Sequence, residues 1–236
     1  MIITGGSRGL GRALSKQAVK AGYGVALIAR DQGALESVEE DLRQTISDAM
    51  ISTHACDLVD QQQVQKAFSE IQEIHKNIVC LINNAGTWTG GKGVVELTRE
   101  DLSESLDLNF FSAFNCISEF LEIWKEARRE VCIVNIGATA SLRGGKNTSA
   151  FAIAKSSLRI LTQSIARELG PEGVHAVHLV LDGLIDNERT RKLNPGTSDD
   201  GYMDPEDISK TILEVCSQRR SAWTLELDLR PFNEKF

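Results

Sequence analysis

Several things are missing from this chain of 236 residues, and each absence narrows what it can be. No run approaches the roughly 18–20 consecutive apolar residues of a membrane-spanning helix, so no membrane partner is expected. The chain enters an apolar strand pattern at Met1, and no signal peptide is expected either. There is no excess of basic charge. Lys and Arg number 26 against 33 Asp and Glu, and the net charge of −7 argues against a nucleic-acid or anionic-membrane surface. The four histidines have no metal-ligand spacing, so no metal is expected; His175 and His178 read as two residues of one strand. The five cysteines (Cys56, Cys80, Cys116, Cys132, Cys216) are scattered and odd in number. Four of them lie in apolar surroundings, which favours free thiols in a reducing, cytoplasmic compartment over a disulfide framework. Repeats, low-complexity tracts and linkers are absent too. Residues 1–236 are therefore expected to form one domain, large enough to bury a substantial core.

What is present begins at the amino end. Thr4-Gly5-Gly6-Ser7-Arg8-Gly9-Leu10-Gly11 stands between the apolar run Met1-Ile2-Ile3 and a helical pattern beginning near Arg12. Strand, glycine turn and helix is the context in which such spacing points to dinucleotide binding. Gly5 suits the tight turn out of the strand, Gly9 a close approach of backbone to a pyrophosphate, and Gly11 close packing of helix on sheet. The unpaired first-turn N–H groups of the helix suit a phosphate. Taken alone, the glycines also fit an ordinary strand-to-helix turn.

Downstream, apolar strand patterns alternate with helical ones. Strands are expected at 24–29, 51–55, 77–82, 131–136 and 174–181, with a half-exposed seventh formed by the alternation of Trp223, Leu225, Leu227 and Leu229 with polar residues. Helices are expected from Asp31 to about Ser47, over 64–75, as one long element from Glu100 to about Arg128, and over 149–169 and 206–217. This order implies an α/β fold, a Rossmann-type three-layer α/β/α sandwich with a seven-stranded parallel sheet, and ligands at the carboxyl ends of the strands.

The motifs Thr4-Gly5-x-x-x-Gly9-Leu10-Gly11, Asp57, Asn83-Asn84-Ala85-Gly86, Asn109 and Lys155, in that order, span most of the chain. In them it resembles the short-chain dehydrogenase/reductase family, although it opens at its first strand, where most relatives carry several preceding residues. The resemblance implies a nicotinamide cofactor held by Gly5, Ser7, Arg8, Gly9, Leu10 and Gly11, with Asp57 at the adenine. Asn83, Asn84, Ala85 and Gly86 would line the adenosine side. A helix N-cap is the plain alternative for Asp57. Asn109 would kink its helix and hold a water joined to the catalytic Lys155; the alternative is a solvent-facing asparagine. NAD-specific relatives place a carboxylate at the end of the second strand, where this chain has Ala29. Arg30 and Arg8 instead offer two guanidinium groups for a 2′-phosphate, which makes NADP (NADPH) the expected cofactor.

The same resemblance exposes a gap. Relatives use a serine and a Tyr-x-x-x-Lys; here the usual thirteen-residue offset puts Ala138 at the serine position and Phe151 at the tyrosine position, while Lys155 is kept. Phenylalanine supplies neither a proton nor a hydrogen bond. A general acid is worth about 10² to 10⁴ in rate, and an oxyanion donor about 10² to 10³. Thr139 and Ser141 flank the vacant serine site and either substitute for it or simply bond the loop. Asp182, where relatives have proline before Gly183, is a candidate replacement acid or an Asx-type turn residue. Gly183 and Ile185 are expected at the nicotinamide, with Asn187 beside them.

Residues 186–203 occupy the place of the family's variable substrate lid, and Trp88 is either a cleft residue or an exposed loop tryptophan. Pro231, Phe232 and Phe236 call for burial on the lid or across a subunit boundary. Relatives pair through the two long helices, so a homodimer or homotetramer is expected. Three functions remain open: an NADP-dependent oxidoreductase with a non-standard proton donor and an unknown carbonyl- or alcohol-type substrate, a non-catalytic NADP-binding sensor or assembly partner, or an interaction module with no cofactor.

Overall fold

Each apolar run in the sequence becomes a strand, and each amphipathic run a helix laid against it. The computed structural model describes residues 1–234. The chain begins β1 (Ile2–Thr4), α1 (Gly9–Lys20), β2 (Val25–Ala29), α2 (Gln32–Thr45), β3 (Ile51–Ala55), α3 (Gln61–Ile74), β4 (Cys80–Asn83) and α4 (Arg99–Leu106). It continues α5 (Ser112–Ala127), β5 (Val131–Ile136), α6 (Ser149–Leu169), β6 (Val174–Leu181), β7 (Leu184–Ile185), α7 (Glu188–Leu193), β8 (Tyr202–Met203), α8 (Pro205–Cys216) and β9 (Glu226–Leu229).

Seven of these strands form a parallel sheet in the order β3-β2-β1-β4-β5-β6-β9. Strands β5 and β6 are buried along their whole length, as strands covered on both faces must be. One layer packs Leu14, Leu35 and Ile212 of α1, α2 and α8 onto the sheet; the other packs Phe68, Phe120 and Leu158 of α3, α5 and α6. The strand order reverses between β1 and β4, which opens a crevice at their carboxyl ends. The architecture is the expected Rossmann-type sandwich. No helix among the described residues is long and apolar enough to cross a membrane.

Several boundaries differ from expectation for physical reasons. Helix α1 starts at Gly9 rather than Arg12, because the glycine turn itself supplies the first helical residues. The single long helix expected from Glu100 is two helices joined by a π-turn over Asp107–Phe111 that contains Asn109. The cap of α3 is Asp60, which accepts from the N–H groups of Gln62 and Gln63 (2.9 and 3.2 Å), so Asp57 is free of that duty. The seventh strand is shorter than the alternation suggested. Trp223 turns aside to stack on His175 (4.7 Å between centroids, 3° between planes), and pairing begins at Glu226.

The expected lid is an ordered excursion. It leaves through β7, forms α7 and returns as β8, with Leu184 opposite Tyr202 and Ile185 opposite Met203. Pro231 is buried against Gly183, whereas Phe232 is 87% exposed and so is not buried on the lid within one chain. Phe236 lies outside the described residues. The five cysteines are free thiols; burial raises the pKa of Cys56 to about 11.

Candidate active site

The glycine loop is fixed by two features of its backbone. Gly5 leaves β1 with φ +66° and donates to the Ile28 carbonyl (2.7 Å), which ties the turn to β2. A side chain at Gly11 would place its Cβ 2.2 Å from the Gly5 carbonyl oxygen, so only glycine lets α1 approach the strand this closely. Helices α2, α3 and α4 carry side-chain caps from Asp31, Asp60 and Thr98. Helix α1 has neither a side-chain cap nor an acid in its first turn. Its first N–H groups and the positive end of its dipole are left to an anion.

These groups border a cleft of about 940 Å3 along the carboxyl ends of the sheet. Gly5, Ser7, Arg8 and Leu10 form one wall. Ala29 and Arg30 end β2 at one extremity, with Asp57 across from them. Asp31 is also there, but its carboxylate accepts from the Ala34 N–H (3.0 Å) and is held by the start of α2. Arg8 and Arg30 are exposed, and the ion pairs found among the described residues involve other arginines. Gly9 and Gly11 are not on the cleft wall.

The floor is the turn after β4. Thr4 Oγ1 accepts from the N–H groups of Asn84 and Ala85 (3.0 Å each), and Asn84 Nδ2 donates to the Thr4 carbonyl (3.0 Å). The Asn84 side chain thus fastens the turn, while Asn84, Ala85 and Gly86 border the cleft. Asn83 is buried and donates to Asn135, which donates to Thr162 (2.8 Å each), a polar thread through the sheet into α6.

Beyond Gly86 the π-turn brings Asn109 and Lys155 together. A Cβ at Gly86 would lie 3.1 Å from Asn109 Oδ1 and 3.3 Å from Lys155 Nζ. Asn109 is buried; its Oδ1 accepts from the Thr87 N–H (3.0 Å) and its Nδ2 donates to the Ser105 carbonyl (3.3 Å). Lys155 is also buried and donates to the Ile136 carbonyl (2.9 Å). Burial lowers its pKa to about 8. Phe151 lies one helical turn before it, with the Lys155 ammonium 5.9 Å from the ring centroid. On its other side Phe151 meets Trp88, 5.1 Å between centroids.

The remaining candidates have their own partners. The Ala138 N–H donates to Ser141 Oγ (3.1 Å). Thr139 donates its hydroxyl proton to Asp182 Oδ1, and Asp182 Oδ2 lies 3.3 Å from Arg230 Nη1. Asp182, Ala138 and Gly183 are not on the cleft wall, and neither are Asn109, Phe151 and Lys155, which lie behind it, whereas Ile185 and Asn187 are. Asn187 also caps α7, accepting from the Thr190 N–H (2.9 Å). Thr87 and Asn147 border the cleft from loops and Glu104 from the second half of α4, and none of the three carries a periodic or spacing signal in the sequence.

The family model for short chain dehydrogenases matches residues 1–198. A 3alpha-hydroxysteroid dehydrogenase of Mediterraneibacter gnavus is 29% identical over 234 residues, covering 96% of this chain and 92% of its own. The 3-oxoacyl-(acyl-carrier-protein) reductase MabA of Mycobacterium avium is 29% identical over 194 residues, covering 82% and 70%. Among solved structures, an NADPH-bound short chain oxidoreductase from Pseudomonas aeruginosa PAO1, described as containing an atypical catalytic center, superposes with a TM-score of 0.89. It is 26% identical and is matched over 100% of this chain and 96% of its own.

Proposed function

The chain belongs to the short chain dehydrogenase family, and from that premise we propose that it is an NADP(H)-dependent oxidoreductase working without the family's serine and tyrosine. The observation that carries this reading is the uncapped start of α1 in line with Arg8 and Arg30, beside a β2 that ends in Ala29. The α1 N–H groups would hold the pyrophosphate, and the two guanidinium groups the 2′-phosphate. Lys155 would hold the nicotinamide ribose, a role that needs no neighbouring phenol. When bound, the nicotinamide supplies or accepts a hydride. Binding of NADPH by the similar Pseudomonas oxidoreductase supports the cofactor assignment.

A second reading, a non-catalytic NADP-binding protein, is favoured by Phe151 and Ala138 together, since both hydroxyls are replaced. Calorimetric titration with NADPH and NADP separates binding from chemistry. Saturable binding well below millimolar is expected, and its absence would remove both readings. Turnover with a panel of carbonyl and imine compounds, lost in Lys155→Met, selects the enzyme; binding without turnover selects the sensor.

The surface also supports self-association. Phe111 (43%), Phe114 (41%), Ile153 (45%) and Ile160 (59%) are exposed on the π-turn, α5 and α6. The assembly proposed is a homodimer or homotetramer through these elements. Sedimentation is expected to give at least a dimer, and Ile160→Glu a smaller species; a monomeric parent protein would contradict it.

A further inference from the structure

We propose that the substrate's reacting group is a planar cation, an iminium C=N+, received by the indole of Trp88, which Phe151 supports from behind. This rests on the oxidoreductase reading and names the substrate class for the same site.

Trp88 is held in place from two sides. Its indole folds back over Gly90, where a Cβ would lie 2.3 Å from Trp88 Cζ2, and it packs against Phe151 at 58° between planes. The indole nevertheless remains 59% exposed on the cleft wall. A large aromatic face kept in position yet open to a cleft is a surface for another flat group or for a cation.

The charge at this end of the cleft has one sign to spare. Asp101, Glu104 and Lys92 all border it, and both Asp101 oxygens accept from the Lys92 ammonium (2.6 and 2.8 Å). Glu104 is left as the uncompensated charge. Lys155 opposes a cation, but it is buried behind the wall and is not part of the cleft lining.

The proton inventory points the same way. A neutral carbonyl that gains a hydride becomes an alkoxide and needs a proton. Phe151 and Ala138 have none in their side chains, and the Thr139 hydroxyl gives its proton to Asp182; the Lys155 ammonium gives one of its three protons to the Ile136 carbonyl and is buried behind the cleft wall. An iminium carbon gains a hydride from the reduced nicotinamide, its π pair becomes the amine lone pair, the nicotinamide is oxidised, and no proton enters.

The test uses the intact protein with N-methyl-3,4-dihydroisoquinolinium and its neutral counterpart 1-tetralone. Calorimetry in the presence of NADP+, where no reduction occurs, is expected to show the cation binding about 10-fold tighter or more. Trp88→Ala should abolish that preference, and Glu104→Gln should reduce it. With NADPH the iminium should be reduced without a solvent deuterium isotope effect, and the ketone should not. Equal or tighter binding of 1-tetralone, or a preference unchanged in Trp88→Ala, overturns the proposal. Reduction of the ketone but not the iminium overturns it while leaving the oxidoreductase reading intact. NADPH binding with reduction of neither overturns it in favour of the non-catalytic reading.

Discussion

Ala29 concentrates the cofactor question in one side chain. It closes β2 on the cleft wall next to Arg30, so a carboxylate introduced there would repel a 2′-phosphate and accept from a ribose 2′-hydroxyl instead. Ala29→Asp should weaken NADPH binding by about 10-fold or more and strengthen NADH binding, read by titrating both into the same preparation. Equal NADPH affinity in the variant would mean that the arginines do not face the phosphate. Residues of this kind were legible beforehand because strand ends and glycine spacing fix their neighbours. Thr139 is different. Its partner Asp182 lies on another strand and is itself paired with Arg230 near the end of the chain. The Trp88–Phe151 contact is likewise made only when the β4 turn and α6 pack together. No local pattern encodes either meeting.

At the scale of elements, the sequence revealed which segments are helices and strands better than where they break. Apolar periodicity continues from α4 into α5, so it gave no notice of the π-turn that swings Asn109 toward Lys155; the poor helix propensity of asparagine was the one local hint. The edge strand β9 shows how tertiary contacts complete a weak element. Glu226 accepts from Arg159 Nε and Nη2 (2.9 and 2.8 Å) and from Gln163 (2.6 Å), so α6 clamps the short strand onto β6. Both charged side chains are slightly under a third exposed, which screens the pair. Glu226→Gln should cost about 1 kcal/mol in urea unfolding, a charge-assisted pair discounted for that exposure. The Arg159 guanidinium, with Gln163, holds the Glu226 pKa below its ordinary 4.5. The stabilisation is therefore present above that pH and lost as pH falls through the lower folded value. The difference between parent and variant should shrink in acid; a constant difference would show that the clamp is not ionic.

For the whole molecule, two buried histidines at opposite ends of the sheet make stability depend on pH. His75, at the end of α3, bonds the Ser52 hydroxyl (2.9 Å), which also bonds His54, itself in contact with Glu70. Burial, then the Met1 ammonium and His54, lowers the His75 pKa to about 4. His178 is fully buried in β6, and neither ring nitrogen has a partner among the described residues. Burial and the nearby Lys155 lower its pKa to about 4, with Arg159 adding to the effect and Glu226 opposing it. For both groups the folded value lies below the unfolded 6.5, so the unfolded chain binds protons first as pH falls. Their effect on stability is absent above pH 6.5, grows as pH drops toward 4 and then levels off. At pH 5 this amounts to roughly 2 kcal/mol for each histidine. Urea midpoints at pH 7.5 and 5.0 should therefore separate strongly in the parent protein. In His75→Gln/His178→Gln, whatever the absolute stability, the separation should narrow by most of that amount. An unchanged pH dependence in the double variant would place the acid sensitivity in the carboxylates, with both imidazoles reached by water in the folded state.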